Sequence, residues 1–113
     1  MGRFAAGAVV LVRFPFSDLS SVKLRPAVVL AYAGSVDWVL CQVTSNPYGD
    51  AAAVSLRSGS FASGGLPRDS VVRPGKLFTA SDALVVRVAG VLTEAAHRSV
   101  ADAVIALIRS ARP

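Results

Sequence analysis

The chain has 113 residues, 53% of them hydrophobic and 17% charged, and twelve Lys and Arg outnumber seven Asp and Glu for a net charge of +5. That length supports one core and excludes a second, and apolar segments spread along the chain exclude a disordered protein. Ten of the twelve cations are Arg, whose planar fork suits phosphate, so the charge fits either a polyanionic partner or solubility alone.

The N-terminal apolar stretch is closed by Arg13 and Pro15 without a small-residue cleavage site, and Ala6 stands where a myristoylation signal needs Ser or Thr. No apolar run approaches the roughly 20 residues that span a bilayer. Cys41 is the sole cysteine, so no internal disulfide can form. A soluble cytoplasmic protein that binds no membrane is expected.

The Val- and Leu-rich runs Ala8 to Phe14 and Pro26 to Tyr32 read as buried strands, with Pro15, Ser17 and Asp18 marking the loop between them. A third strand runs from Asp37 to Ser45 and is stopped by Asn46-Pro-Tyr-Gly-Asp50; Ala52 to Leu56 is a shorter fourth. Arg57 to Arg68, rich in Gly and Ser, reads as a long surface loop. Extended segments follow at Ser70 to Arg73 and Ala83 to Gly90, with Gly75 to Thr79 able to pair as well.

Thr93 then caps a helix with Glu94 in its first turn and Arg109 and Arg112 at its end, which complements the helix dipole. Val100, Val104, Leu107 and Ile108 form its apolar stripe. Short, closely spaced strands followed by one helix predict a mainly β fold, a small barrel closed by a C-terminal helix, as a single domain over residues 1–113.

Several chemistries lack their residues. There is no Cys/His cluster for zinc, no phosphate-binding Walker loop, no Gly-x-Ser-x-Gly elbow and no His-Glu-x-x-His. His97, the only histidine, falls three residues before Val100 and reads as a packed or interface residue. Cys41 alternates with Val39 and Val43 and reads as core, while Trp38 is placed for the core, a subunit interface or base stacking. Phe16 and Phe61 fall in expected loops, for burial at a loop root or for stacking.

What remains are arginines and hydroxyls at strand ends. Arg25 opens the second strand, restricted to an extended conformation by Pro26; Thr44 and Ser45 end the third; Arg73 also precedes a proline. If consecutive strands are neighbours, these groups converge at one rim, a set of bidentate donors and hydroxyls fit to hold a phosphodiester. On residue type alone, a salt bridge from Arg25 to Asp18 or Asp69, with Thr44 and Ser45 capping a turn, is the slightly better fit.

Gly7-Ala-Val-Val-Leu-Val-Arg-Phe-Pro-Phe16, Lys23-Leu-Arg-Pro-Ala-Val-Val-Leu30, Cys41-Gln-Val-Thr-Ser45, Gly64-Gly-Leu66 and Ser70-Val-Val-Arg-Pro-Gly-Lys-Leu-Phe-Thr79 resemble, in order, the motifs of the PemK/MazF-like toxins of bacterial toxin–antitoxin systems. The resemblance implies an SH3-like barrel working as a homodimer. It further implies an endoribonuclease that cuts single-stranded RNA at a short sequence, needs no metal or other cofactor, and is neutralised by a cognate antitoxin. In this mechanism the 2′-hydroxyl attacks the adjacent phosphorus and leaves a 2′,3′-cyclic phosphate.

By the same resemblance, Arg25 falls on the active-site arginine and Thr44 on the active-site threonine, while Ser45, Arg73 and Lys23 extend the RNA-binding surface. The acid that some members carry two positions after the later arginine is replaced by Gly75, which leaves Asp18, in the first loop, as the candidate base. Two other classes remain open: a non-catalytic nucleic-acid- or protein-binding barrel, and a gyrase-poisoning toxin of the same fold.

Overall fold

Runs of β-branched residues that turn alternate side chains to opposite faces build the first three strands. The structure, a computed structural model, describes residues 4–15, 22–46 and 49–110. Strands β1 (Ala8–Pro15), β2 (Val22–Gly34) and β3 (Asp37–Thr44) form an antiparallel meander. β2 begins earlier than the expected Pro26 because Lys23 pairs with Phe14 and Leu24 with Arg13.

β4 (Val54–Leu56) is followed by a 3-10 turn at Ser58–Ser60, then by β5 (Phe61–Gly64), β6 (Ser70–Ser81) and β7 (Val85–Leu92). All pairings are antiparallel, in the order β4-β6-β3-β2-β1-β7-β5. The sheet curls into a half-barrel. Phe14 on β1 and Phe78 on β6, with β2 and β3 between their strands, bring their ring centroids to 4.8 Å, which a flat sheet would not allow.

Consecutive residues feed two apolar clusters. Val10, Val12, Ala27, Val29 and Leu40 join Phe4 and Trp38 on one side; Val9, Val28, Cys41, Val43 and Val72 join Leu56 on the other. Burying each such side chain contributes about 1.5–3 kcal/mol before entropy is counted. Trp38 is a core residue, tilted against Phe4 at 4.7 Å and Tyr32 at 4.9 Å.

Helix α1 (Glu94–Arg109) covers the second cluster with Val100 and Val104. Thr93 caps it, its Oγ1 accepting from Ala96 N at 3.1 Å. His97 packs over Gly7, whose missing Cβ would sit 3.5 Å from the imidazole ring. No helix among the described residues is long and apolar enough to cross a membrane.

Three expectations need correction. Arg57 to Arg68 is not all loop: β5 pairs with β7 as an edge strand whose Gly and Ser composition conceals it. Ser70 to Thr79 is one strand, because residues 73–76 bulge out between the Val43–Val72 and Cys41–Leu77 pairs and so accommodate Pro74. Leu107 and Ile108 stay 41% and 68% exposed, because the helix buries Val100 and Val104 and its last turn carries the stripe beyond the cluster.

Candidate active site

The opening of β2 and the end of β3 are where two buried rows run out into solvent. Along β2, alternate residues Val29 and Ala27 are buried and Arg25 is half-buried; along β3, Leu40 is buried and Gln42 and Thr44 are half-buried. Ala27 pairs with Gln42, and the same register carried two residues further sets Arg25 opposite Thr44. Pro26 holds the arginine extended, and Val12 of β1 pairs with it from the other side.

A groove of about 190 Å³ opens there, lined by Leu24, Arg25, Thr44, Ser45, Leu66 and Arg68 among others. Thr44 Oγ1 accepts from Asn46 N at 3.1 Å, a bond that does not use the hydroxyl's own proton. Ser70, buried at the base, donates its hydroxyl to Arg68 O at 3.1 Å and steadies the turn that brings Arg68 across.

The sequence-predicted residues divide. Arg25, Thr44 and Ser45 meet in this groove. Lys23 is exposed two residues before Arg25, on the same side of β2 but outside the groove. Asp18 lies outside the described residues, as do Phe16 and Arg112.

Arg73 opens the β6 bulge, and the Thr44–Val71 pair places it two residues along from Thr44's partner. Its Nε donates to Asp50 Oδ2 at 3.1 Å, and its carbonyl accepts from the Cys41 thiol at 3.1 Å. The Asp50 carboxyl is held below its ordinary range by the Arg73 hydrogen bond first and by Ala52 N second. Burial, with a smaller push from Asp50, raises the Cys41 thiol to about 11, which suits its structural place.

Sequence reasoning gave Asp50, Arg57 and Arg68 no individual role in the site and named Asp69 only as a salt-bridge partner for Arg25. Two concavities adjoin the groove: one of about 310 Å³ that shares Leu66, Pro67 and Arg68 with it, and one of about 140 Å³ that shares Ser45 and Ser70. Arg57 and Asp69 line both. The available signal was the Arg68-Asp69 pair directly before the strand that opens at Ser70, whose Val71 pairs with Thr44; Arg57 joins them because its neighbour Leu56 pairs with Ser70.

Arg25 and Arg68, with the Thr44 and Ser45 hydroxyls, equip the groove to bind a phosphate and to offset charge developing on it. Among the described residues no group of three or more His, Cys, Asp or Glu could hold a metal ion.

The sequence profile described as "PemK-like, MazF-like toxin of type II toxin-antitoxin system" matches residues 5–108. No curated protein matches the chain by sequence. Among solved structures, a MazE–MazF complex from Deinococcus radiodurans is similar over 96% of this chain and 97% of that one, at TM-score 0.73 and 21% identity. An endoribonuclease in complex with its cognate antitoxin from Mycobacterial species covers 100% and 99%, at 0.71 and 14%. The Mycobacterium tuberculosis toxin MazF-mt6 covers 86% and 91%, at 0.66 and 19%. At these identities the likeness establishes the fold.

Proposed function

The chain belongs to the PemK-like, MazF-like toxins of type II toxin–antitoxin systems, and from that premise we propose that it is a metal-independent endoribonuclease cleaving single-stranded RNA in the cytoplasm. The observation that carries this reading is the meeting of Arg25, Thr44 and Ser45 in one groove with Arg68 across from them. The RNA 2′-hydroxyl attacks the adjacent phosphorus, the bond to the 5′-oxygen breaks, and a 2′,3′-cyclic phosphate and a free 5′-hydroxyl result.

Arg25 donates to the non-bridging oxygens as phosphorus becomes five-coordinate, and its half-buried, strand-held position supplies preorganisation. Thr44 donates its hydroxyl proton to the same phosphate. Ser45, Lys23 and Arg73 extend the binding surface, and Asp18 is assigned the proton of the 2′-hydroxyl. The similar endoribonuclease bound to its cognate antitoxin supports neutralisation of this chain by an antitoxin of its own. Exposed Leu77, Ile105 and Ile108 supply apolar surface for a homodimer.

The test is incubation of purified protein with a long labelled single-stranded RNA in excess EDTA, beside Arg25→Ala and Thr44→Ala variants of verified fold. Fragments with cyclic-phosphate ends, lost in both variants, are expected. Absence of cleavage by the folded wild type on varied RNAs would overturn the assignment in favour of a binding barrel.

A further inference from the structure

The larger of the two concavities beside the groove, at about 310 Å³, shares Arg68 with it but otherwise has no part in the reaction proposed above. Its volume meets the lower bound of roughly 300 Å³ for small-ligand sites. One wall is apolar, made by Leu66, Pro67 and the half-buried Phe61. The same space is lined by Asp69, Arg57 and Arg68.

These opposite charges form no ion pair with one another. Asp69 is exposed and makes no ion pair or hydrogen bond with either arginine. An acidic residue and two arginines thus share one concavity with apolar Leu66, Pro67 and Phe61. The ligand that complements them is flat and carries adjacent donors on one edge and acceptors on another.

Resting on the ribonuclease reading, we propose that this pocket takes a guanine of the RNA strand next to the scissile phosphate and so contributes to the choice of cleavage sequence. Guanine presents N1–H and the N2 amino group side by side, two donors for the two Asp69 oxygens, while O6 and N7 accept from an arginine fork. Adenine and cytosine place a ring acceptor beside the amino group, which the carboxylate repels. Uracil offers one N–H between two carbonyls. The wall shared with the groove through Leu66 and Arg68 places the base beside the phosphate held by Arg25.

The test separates recognition from cleavage by using a random single-stranded RNA pool made uncleavable with 2′-O-methyl groups. Wild-type protein and Asp69→Ala, of verified fold and removing an exposed side chain, each select from the pool, and the bound strands are sequenced. Guanosine enriched at one position by the wild type and lost with Asp69→Ala is expected; inosine at that position, lacking the N2 amino group, should weaken wild-type binding about tenfold. No guanosine enrichment, or the same enrichment in Asp69→Ala, overturns the assignment. Guanosine selection by a protein that cuts no RNA would overturn the ribonuclease reading alone, whereas cleavage without guanosine preference would overturn the pocket alone.

Discussion

Gly64 on β5 and Gly90 on β7 are register partners that leave no room for a side chain on either strand. A Cβ on Gly64 would lie 2.3 Å from the Ala89 carbonyl oxygen, and one on Gly90 would lie 2.8 Å from Gly65 N. Gly64 also takes φ 64, in the region that favours glycine. This approach anchors the segment that runs on into Leu66 and Arg68, so it shapes the groove from outside it.

Gly64→Ala and Gly90→Ala should each destabilise the fold by about 2 kcal/mol or more, since the colliding atoms are mostly backbone and cannot swing aside. Gly59→Ala, where a Cβ meets nothing within 4 Å, should be near neutral. Urea midpoints compare the three. Midpoints for Gly64→Ala and Gly90→Ala equal to that of Gly59→Ala would show that β5 is not held as described.

Arg25→Ala is expected to lower kcat by about 10²–10³, the usual loss of one preorganised donor to a developing oxyanion. Arg25→Lys should recover little, since a point charge does not reproduce the fork. Thr44→Ser keeps a hydroxyl at the position that accepts from Asn46 N and should remain active, whereas Thr44→Val should not. Single-turnover cleavage of a defined RNA measures all four, and an active Thr44→Val would remove the hydroxyl from the mechanism.

The arginine is legible in sequence because Pro26 follows it and a valine-rich strand follows that; Thr44 is legible because its apolar run gives way to Ser45 and an Asn-Pro pair. Thr93 announces the helix for the same kind of local reason, its side chain bonding three residues ahead. Phe61-Ala-Ser-Gly64 gives no such signal, since what makes it a strand is Gly90, twenty-six residues beyond Gly64. Arg68 and Asp69 stand directly before Ser70 of β6, and Arg57 directly after its partner Leu56, so this part of the candidate site is assembled by the β4–β6 pairing, which neither segment announces by itself. The Pro74-Gly75 break was real as a chain signal, but the sheet absorbed it as a bulge.

The Asp50–Arg73 pair predicts an acid-side loss of stability. Asp50 has a lower carboxyl pKa folded than unfolded, so its contribution is complete above the unfolded value of about 3.9 and is lost as pH falls through the folded value. Asp50→Asn should therefore be less stable than wild type at pH 6, with the gap narrowing below pH 4. Urea titrations at pH 6, 4, 3 and 2.5 read this directly; a gap independent of pH would mean that the carboxylate charge plays no part.

Cys41 predicts the opposite sign at alkaline pH. Its thiol is raised from 9.0 to about 11 by burial first and Asp50 second, so the neutral form is favoured in the folded state. The contribution is complete below pH 9 and is lost as pH rises toward 11. At pH 8 the buried thiol, donating to Arg73 O, should react with a disulfide reagent far more slowly than the same thiol in denaturant. Cys41→Ser should keep the hydrogen-bond donor, lose the alkaline sensitivity and cost stability through a more polar group in the core. Rapid labelling of the native protein would instead require that β3 and the β6 bulge open together, exposing the strand end that carries Thr44.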